Sequence, residues 1–488
     1  MKKLLSLFII LVLSLLFLSC KNNNIEDNIN YYEINFIASS GGTILGKTTQ
    51  IVKEGNKTDP VKAIPLDGYE FDHWSYNDTR SDKIIIEDLK DNLTVTAFFK
   101  EIIYKYPEIF IITEGNKNIT SKEEYLNCII TVSDEKDPEY NLNNIEAKIK
   151  GRGNSTWGMP KKPYRIKFNE KVDLFGNGKN KDWTLIANYC DPSLIRNYLA
   201  YSIASKFDDL PYTTSFKYAE LYINGEYQGL YLVCEQIEAG KNRVDIDDKI
   251  GLELSFLVEL DYRILDENKK EGLDYFYISN QPYGIKSPKT DKEGFTEEEC
   301  KRIKDYLNFC LNTIKNKKYE DIVNYIDVNS FADGYIIHEL FSSIDVNFSS
   351  WYMCKDNGGK LTNAPIWDFD ISAGNVDYND QARFPDRLFA VNNTWYKYLL
   401  RHDEFKKLVS EKLNKYYDMI KYIIDLEIEN VLIYKDYFYR NFEKWPILGN
   451  YVWPNPPELV KLKTWDEHIA FVRKWLNDKL DFMVTRYN

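Results

Sequence analysis

Apolar and polar residues alternate with a period of two in most segments before about residue 240, and helical spacing dominates after about residue 290. Tyr32–Ile37, Thr49–Val52 and Leu93–Phe99 alternate, and Gly41-Gly42 turns the chain, which predicts a small β-rich module over residues 31–100. A second domain is expected from about residue 105 to residue 488. Ile145–Lys150 and Pro163–Phe168 read as strands flanking the glycine-rich turn Gly151-Arg152-Gly153-Asn154-Ser155-Thr156-Trp157-Gly158. Alternation in the later strand sets Tyr164, Ile166 and Phe168 on one face and Arg165 and Lys167 on the other. Asp191-Pro192-Ser193 predicts a helix start, with Asp191 or Ser193 as cap, running to about Phe207. Lys217–Ile223 and Gln228–Cys234 are predicted strands joined by an Asn224-Gly225 turn and ending at Glu235. Helices are predicted over about residues 297–316, 330–342, 394–440 and 466–486. The expected fold is α+β, with the β module followed by two lobes, a strand-rich one and a helical one.

Two carboxylate-bearing segments supply candidate chemistry. Asp345 lies in Ser342–Tyr352, and Asp368 and Asp370 lie in Ile366-Trp367-Asp368-Phe369-Asp370-Ile371. Trp351–Cys354 and Lys360–Trp367 read as a hairpin closed by Asn357-Gly358-Gly359, which would bring all three carboxylates to one end. Carboxylate oxygens at one end suit a hard divalent cation that keeps sites free for phosphate and water. A carboxylate outside that shell could accept the proton of an acceptor hydroxyl. A cleft between the lobes would hold Lys167 on one wall and Asp345 and Asp368 on the other. The glycine-rich turn offers free backbone amides beside Arg165 and Lys167, a pattern that serves a polyphosphate, although the glycines taken alone are better explained by a tight hairpin.

Met1-Lys2-Lys3, the apolar run Leu4–Leu18 and Ser19-Cys20 read as a secretory signal, residues 1–19, with lipidation at Cys20. Leu16-Phe17-Leu18-Ser19 is bulkier than the usual small-residue cleavage pattern. The apolar run falls short of the roughly 20 residues that cross a bilayer. Residues 20–30 are a polar tether, so a lipid membrane is the expected partner of Cys20. The net charge of −12 argues against a nucleic-acid partner. Six further cysteines and four histidines are too scattered for a zinc site. One or two disulfides are compatible with the composition, without an assignable pairing, and the histidines are expected at the surface or half-buried.

Gly41-Gly42, Val61–Pro65, Gly68–Ser75 and the final Thr96-Ala97-Phe98-Phe99 resemble the internalin-type B repeat, a β-grasp-like spacer or adhesive module, which implies a core role for Trp74. Lys150–Trp157, Lys161–Phe168, Asp191–Asn197, Asn224–Tyr231, Glu235–Ile237, Trp367–Asp370, Gly374-Asn375 and Lys444-Trp445-Pro446 resemble, in this order, the spore-coat CotH-type atypical protein kinase family. The likeness spans about residues 107–488. It implies ATP and Mg²⁺ or Mn²⁺ as cofactors, Asp345 as the catalytic carboxylate, Lys167 on the nucleotide phosphates and Asp368 on the metal. Arg152, Arg165 and Glu235 are implied for phosphate or nucleotide contacts, and Asp370 for a second metal contact. Many relatives carry Asn five residues after the catalytic Asp; here Ser350 stands there, and Asn347 is the candidate substitute. His-Arg-Asp and Ala-Pro-Glu signatures are absent. The implied function is transfer of the ATP γ-phosphate to Ser or Thr of a surface or envelope protein by a lipid-anchored extracytoplasmic kinase. The alternative is a non-catalytic surface protein for adhesion or envelope assembly.

Overall fold

The computed structural model describes residues 30–488, so the expected signal segment and Cys20 lie outside the described residues. Backbone contacts divide the chain into two units between Ile103 and Tyr104. In the first, Tyr31–Ala38 pairs in parallel with Leu93–Glu101 and antiparallel with Thr49–Lys53, and Tyr69–Trp74 completes a four-stranded sheet. Gly42–Leu45, Val61–Pro65 and Lys83–Ile84 form a second sheet. The inward residues of these strands meet around Trp74, which is fully buried and donates its indole N–H to the Ser81 carbonyl at 3.0 Å. The described residues of this unit form two packed sheets, in keeping with the small β-rich module expected from the alternation. The connection between Trp74 and Lys83 turns through left-handed Asn77 and Asp78.

The second unit opens with a closed seven-stranded barrel. Around it run Leu142–Gly151, Tyr164–Val172, Asn180–Ile186, Glu226–Glu235, Phe216–Ile223, Glu108–Thr113 and Leu126–Ser133. Strict alternation drives this closure: Tyr164, Ile166 and Phe168 fill the interior with Ile149, Trp183 and Val233, while Arg165 and Lys167 stay outside. Glu226–Glu235 is buried on both faces, Tyr231 and Val233 inward and Leu230, Leu232 and Cys234 against the helical core. That second core gathers the helix Arg196–Ala204, the sheet Tyr275–Ile278, Gln281–Ser287, Phe256–Leu260 and Trp351–Lys355, and the long helices Glu297–Asn316, Val328–Phe341, Asp403–Ile433 and Trp465–Tyr487.

Residues from three distant motifs meet where the barrel joins the helices. The buried Lys161 ammonium donates to the Leu230 carbonyl and to Asn441 Oδ1 at 2.8 Å, and Trp445 Nε1 donates to the Gln228 carbonyl. Gly229 sits under this clasp at φ +109°, and a Cβ there would lie 2.6 Å from Asn441 Oδ1 and 3.0 Å from Trp445 Nε1. Gly229→Ala should therefore lower stability by about 1–3 kcal/mol, through backbone strain and overpacking together. A urea midpoint unchanged from wild type would remove this explanation of the glycine.

Three local expectations need correction. Asp191-Pro192-Ser193 forms a turn rather than the first helical turn: Leu194 is left-handed at φ +62°, and the helix begins at Arg196. Trp351–Lys355 is a strand, but its return arm is reduced to single bridges, Cys354 with Thr362 and Ile326 with Leu361. Pro365 lacks an amide for a ladder, and the amides of Asp368 and Phe369 are used by Tyr201 and Asn197. His338 and His468 are buried, not superficial, and burial lowers their pKa values to about 3 and about 4. The six described cysteines are buried free thiols.

Candidate functional site

Asp345 sits in the single turn Ile344–Asn347 directly after the helix Val328–Phe341. The left-handed Ser342 ends that helix, and the amides of Phe348 and Ser349 return to the Asp345 carbonyl at 2.8 Å, fixing the turn. The side chain is buried, and its nearest cation is Arg263, whose Nη2 lies 4.0 Å from Oδ1. Burial, then the like charge of Asp368, raises Asp345 to about 7 against the opposing Arg263. Asp370 is raised to about 8 by burial and then by Asp368. It accepts the Cys190 S–H at 3.2 Å, while burial and the Asp370 charge push that thiol well above its ordinary range. Asp368 itself is left-handed at φ +68° and accepts the Ser350 hydroxyl at 3.1 Å. Three carboxylates thus interact through the protein interior with too little positive charge among them.

What holds this loop is the Asp191–Asn197 segment. Asp191 accepts the amides of Ser193 and Arg196, and the fully buried Arg196 ion-pairs with it. The other arms of the Arg196 guanidinium donate to the Ser372 and Ala373 carbonyls, just past Asp370. Asn197 Oδ1 accepts the Phe369 amide at 2.7 Å, and the Tyr201 hydroxyl accepts the Asp368 amide at 3.3 Å. Asn375 Nδ2 donates to the Cys190 and Asp370 carbonyls. Two motifs nearly 180 residues apart in sequence are therefore one hydrogen-bonded scaffold.

Cations gather on the outside of the barrel. Lys148 stands opposite Lys167 and Lys150 opposite Arg165, two like-charged cross-strand pairs that repel. Asp182 offsets part of this charge, with Arg165 Nη2 at 2.6 Å and the more exposed Lys167 at 3.7 Å. Burial, followed by Arg165, lowers Lys150. Arg152 reaches across, its guanidinium 5.8 Å from the Trp367 ring centre. The glycine-rich turn is less open than expected. The Gly151 and Arg152 amides donate to the Ser121 and Pro163 carbonyls, and a Cβ on Gly153 would lie 2.2 Å from Thr156 Oγ1. Its glycines thus also serve a compact turn that packs on itself.

Glu235 is placed at the end of its strand in a buried cluster: it ion-pairs with Arg243 at 2.7 Å and accepts the Ser215 amide and the Tyr212 hydroxyl. Arg243 in turn lies on the Trp183 ring. Asn347 is half-buried, and its Oδ1 is buried with no hydrogen-bond partner among the described residues. Among those residues, no group of three or more His, Cys, Asp or Glu is disposed to hold a metal by itself. Sequence reasoning missed Glu259, which accepts the Ser350 amide at 3.0 Å and pairs with Lys286 at 2.7 Å, and it missed Arg263. Burial opposes the Lys286 charge, but Glu259 and Asp261 outweigh it and raise its pKa. Glu259 and Asp261 alternate along Phe256–Leu260 and its end, a signal hidden inside an otherwise apolar run.

Residues 149–483, more than half of the chain, match a family model described as "CotH kinase protein". Residues 32–103 match a "Divergent InlB B-repeat domain". Over 286 residues the chain is 22% identical to "Inner spore coat protein H" of Bacillus subtilis (strain 168), covering 56% of this chain and 72% of that protein.

Proposed function

The chain belongs to the CotH kinase family, and on that premise we propose that its second unit is a kinase-like two-lobed domain that transfers the γ-phosphate of ATP to a Ser or Thr hydroxyl. The observation that carries the reading is the trio of mutually repelling carboxylates, Asp345, Asp368 and Asp370, together with the paired cations of the barrel exterior, linked by Arg152 lying over Trp367 beside Asp368. Repulsion on each side is relieved when a polyphosphate and a divalent cation lie between them. Lys167 and Arg165 bind and orient the phosphates, and Arg152 closes over them. Asp345 orients the acceptor hydroxyl and takes its proton. Asp368, with Asp370 and the unpartnered Oδ1 of Asn347 at hand, would hold Mg²⁺ or Mn²⁺, the phosphates and water completing the coordination. When bound, the metal supplies the charge that the carboxylates lack and neutralises the phosphates. Glu235, tied to Arg243 and Tyr212, shapes the strand end behind the phosphate wall.

The surface setting of this reading rests on the leader sequence and on the spore-coat relative. Lipidation at Cys20 would tether the chain to a membrane, with the B-repeat module, residues 32–103, as spacer and envelope proteins as acceptors. Among the described residues no helix is long and apolar enough to cross a membrane.

The test is incubation of the purified chain with γ-labelled ATP and Mg²⁺ or Mn²⁺, followed by mass spectrometry for phosphoserine and phosphothreonine. Metal-dependent label that chelation abolishes supports the proposal. Absence of label together with absence of calorimetric nucleotide binding favours the adhesion or assembly role, with Ser350 occupying Asp368 as its structural basis.

Metal binding should also be visible in stability. Asp345 and Asp370 are raised on folding, so their contribution to stability is present at low pH and lost as pH rises through about 7 and 8. The metal-free protein should accordingly lose stability between mildly acidic and mildly alkaline pH. A divalent cation needs deprotonated ligands, so its stabilisation should grow over the same range, reaching about 2.7 kcal/mol at a hundred times its Kd. Thermal unfolding with and without Mg²⁺ across pH checks this; a metal effect independent of pH would sink it.

A further inference from the structure

We infer that Arg263 is a further catalytic residue of the transfer proposed above, its guanidinium binding the phosphoryl group as it passes from nucleotide to acceptor. The inference rests on that reading and adds a residue outside the sequence motifs that carry the family resemblance. Arg263 follows the strand Phe256–Leu260 in a short turn capped by Asp261, whose carboxylate accepts the Arg263 amide at 3.1 Å. Its guanidinium lies 5.5 Å from the centre of the Phe348 ring, itself stacked on Tyr262. This platform fixes its plane beside Asp345.

Arg263 carries five side-chain N–H donors and uses few of them among the described residues. The approach to Asp345 is 4.0 Å, too long for a hydrogen bond, and Nε is buried with no acceptor among the described residues. The side chain is still 22% exposed, so the outer guanidinium donors beside Asp345 are open to a ligand that supplies the acceptors. The space for that ligand is present. A cavity of about 920 Å³ runs from Arg263 and Phe348 to Asn154 and Ser155 of the glycine-rich turn, with Lys122 and Lys269 on its rim. Glu123 and Glu267 also line it, which keeps the cavity as a whole from being a nonspecific anion trap. The donors therefore lie between the turn that would cover the phosphates and the carboxylate that would receive the acceptor's proton.

In the step itself, the bond from the γ-phosphorus to the β,γ-bridging oxygen breaks, its electron pair leaving with ADP. The acceptor oxygen forms the new bond to phosphorus, and its proton passes to Asp345. Negative charge spreads over the three remaining γ-oxygens during this exchange, and Arg263 donates to them where Asp345, an anion, cannot. Until the phosphoryl group arrives, the guanidinium faces Asp345 and limits its repulsion with Asp368.

The test compares wild type, Arg263→Ala and Arg263→Lys as full chains. Single-turnover transfer, ADP affinity and affinity for ADP with fluoroaluminate, a mimic of the phosphoryl group in flight, are measured in parallel. Arg263→Ala should lower the transfer rate about 10³-fold while leaving ADP affinity within about threefold. It should weaken the fluoroaluminate complex at least about tenfold, and methylguanidine should restore part of the rate. Arg263→Lys should fall between the two. A transfer rate for Arg263→Ala near wild type overturns the inference and leaves the transfer reading intact. So does a loss matched by equal loss of ADP affinity and thermal stability without methylguanidine rescue, which would make Arg263 a support for Phe348. A wild type that neither transfers label nor binds the fluoroaluminate complex overturns the transfer reading itself, and this inference with it.

Discussion

Asp345→Asn should slow phosphoryl transfer by roughly 10²–10⁴-fold while making the metal-free protein more stable than wild type. The two effects have one origin. Asp345 is buried in a single turn and faces Asp368 through the protein interior, and the distant Arg263 guanidinium, followed by the Ser349 hydroxyl, offsets only part of the penalty on its charge. Asparagine keeps the shape and retains an oxygen to accept from its neighbours, but it carries no charge and cannot take a proton from a hydroxyl. Removing the like charge should raise stability by about 0.5–2 kcal/mol, as expected where a site is strained for function. The gain should be full at pH 8, shrink as pH falls through about 7 and vanish only near pH 4, because a group raised on folding destabilises only above its unfolded pKa, 3.8 for this carboxylate. Quench-flow transfer and thermal unfolding on the same preparations decide the matter. Retained turnover would remove Asp345 from the chemistry; lost turnover with lost stability at pH 8 would make it a structural residue instead.

Sequence periodicity carried the barrel's inward and outward faces, because Tyr164, Ile166 and Phe168 alternate with charged residues that cannot enter a closed barrel. It carried the long helices of the second core for a similar reason: Glu297–Asn316 and Trp465–Tyr487 each bury one stripe. Periodicity failed on the segment 360–370, which has a strand's apolar content but gives its amides to Asn197 and Tyr201, side chains that sequence spacing does not bring near. Within the candidate site, the aspartates stood out because carboxylates interrupt apolar runs. Glu259, Lys286 and Arg263 did not, because they come from a strand, its neighbour and a turn whose juxtaposition is set by sheet register alone. The motif Asp191–Asn197 was legible as a helix cap, and only the fold reveals it as the support of the Asp368 loop.

That support underlies the largest stability effect expected in the molecule. Arg196→Met should cost about 3–5 kcal/mol, because it leaves the fully buried Asp191 carboxylate without its partner and frees the Ser372 and Ala373 carbonyls. Arg196→Lys should recover little, since one ammonium cannot span a carboxylate and two carbonyls in different directions. The double variant Asp191→Asn with Arg196→Met should be less damaged than the sum of the single changes, as a cycle across a buried pair requires. The consequence for function follows from where those carbonyls are. They lie two and three residues beyond Asp370, so a loosened loop should bind Mg²⁺ and nucleotide more weakly at temperatures where the rest of the domain remains folded. Urea unfolding followed by calorimetric titration at low temperature separates the two losses. A change below about 1 kcal/mol in Arg196→Met would mean that the buried pair does not hold the loop. Intact metal affinity in a destabilised variant would mean instead that the carboxylates are positioned from the Val328–Phe341 side, through the turn that carries Asp345.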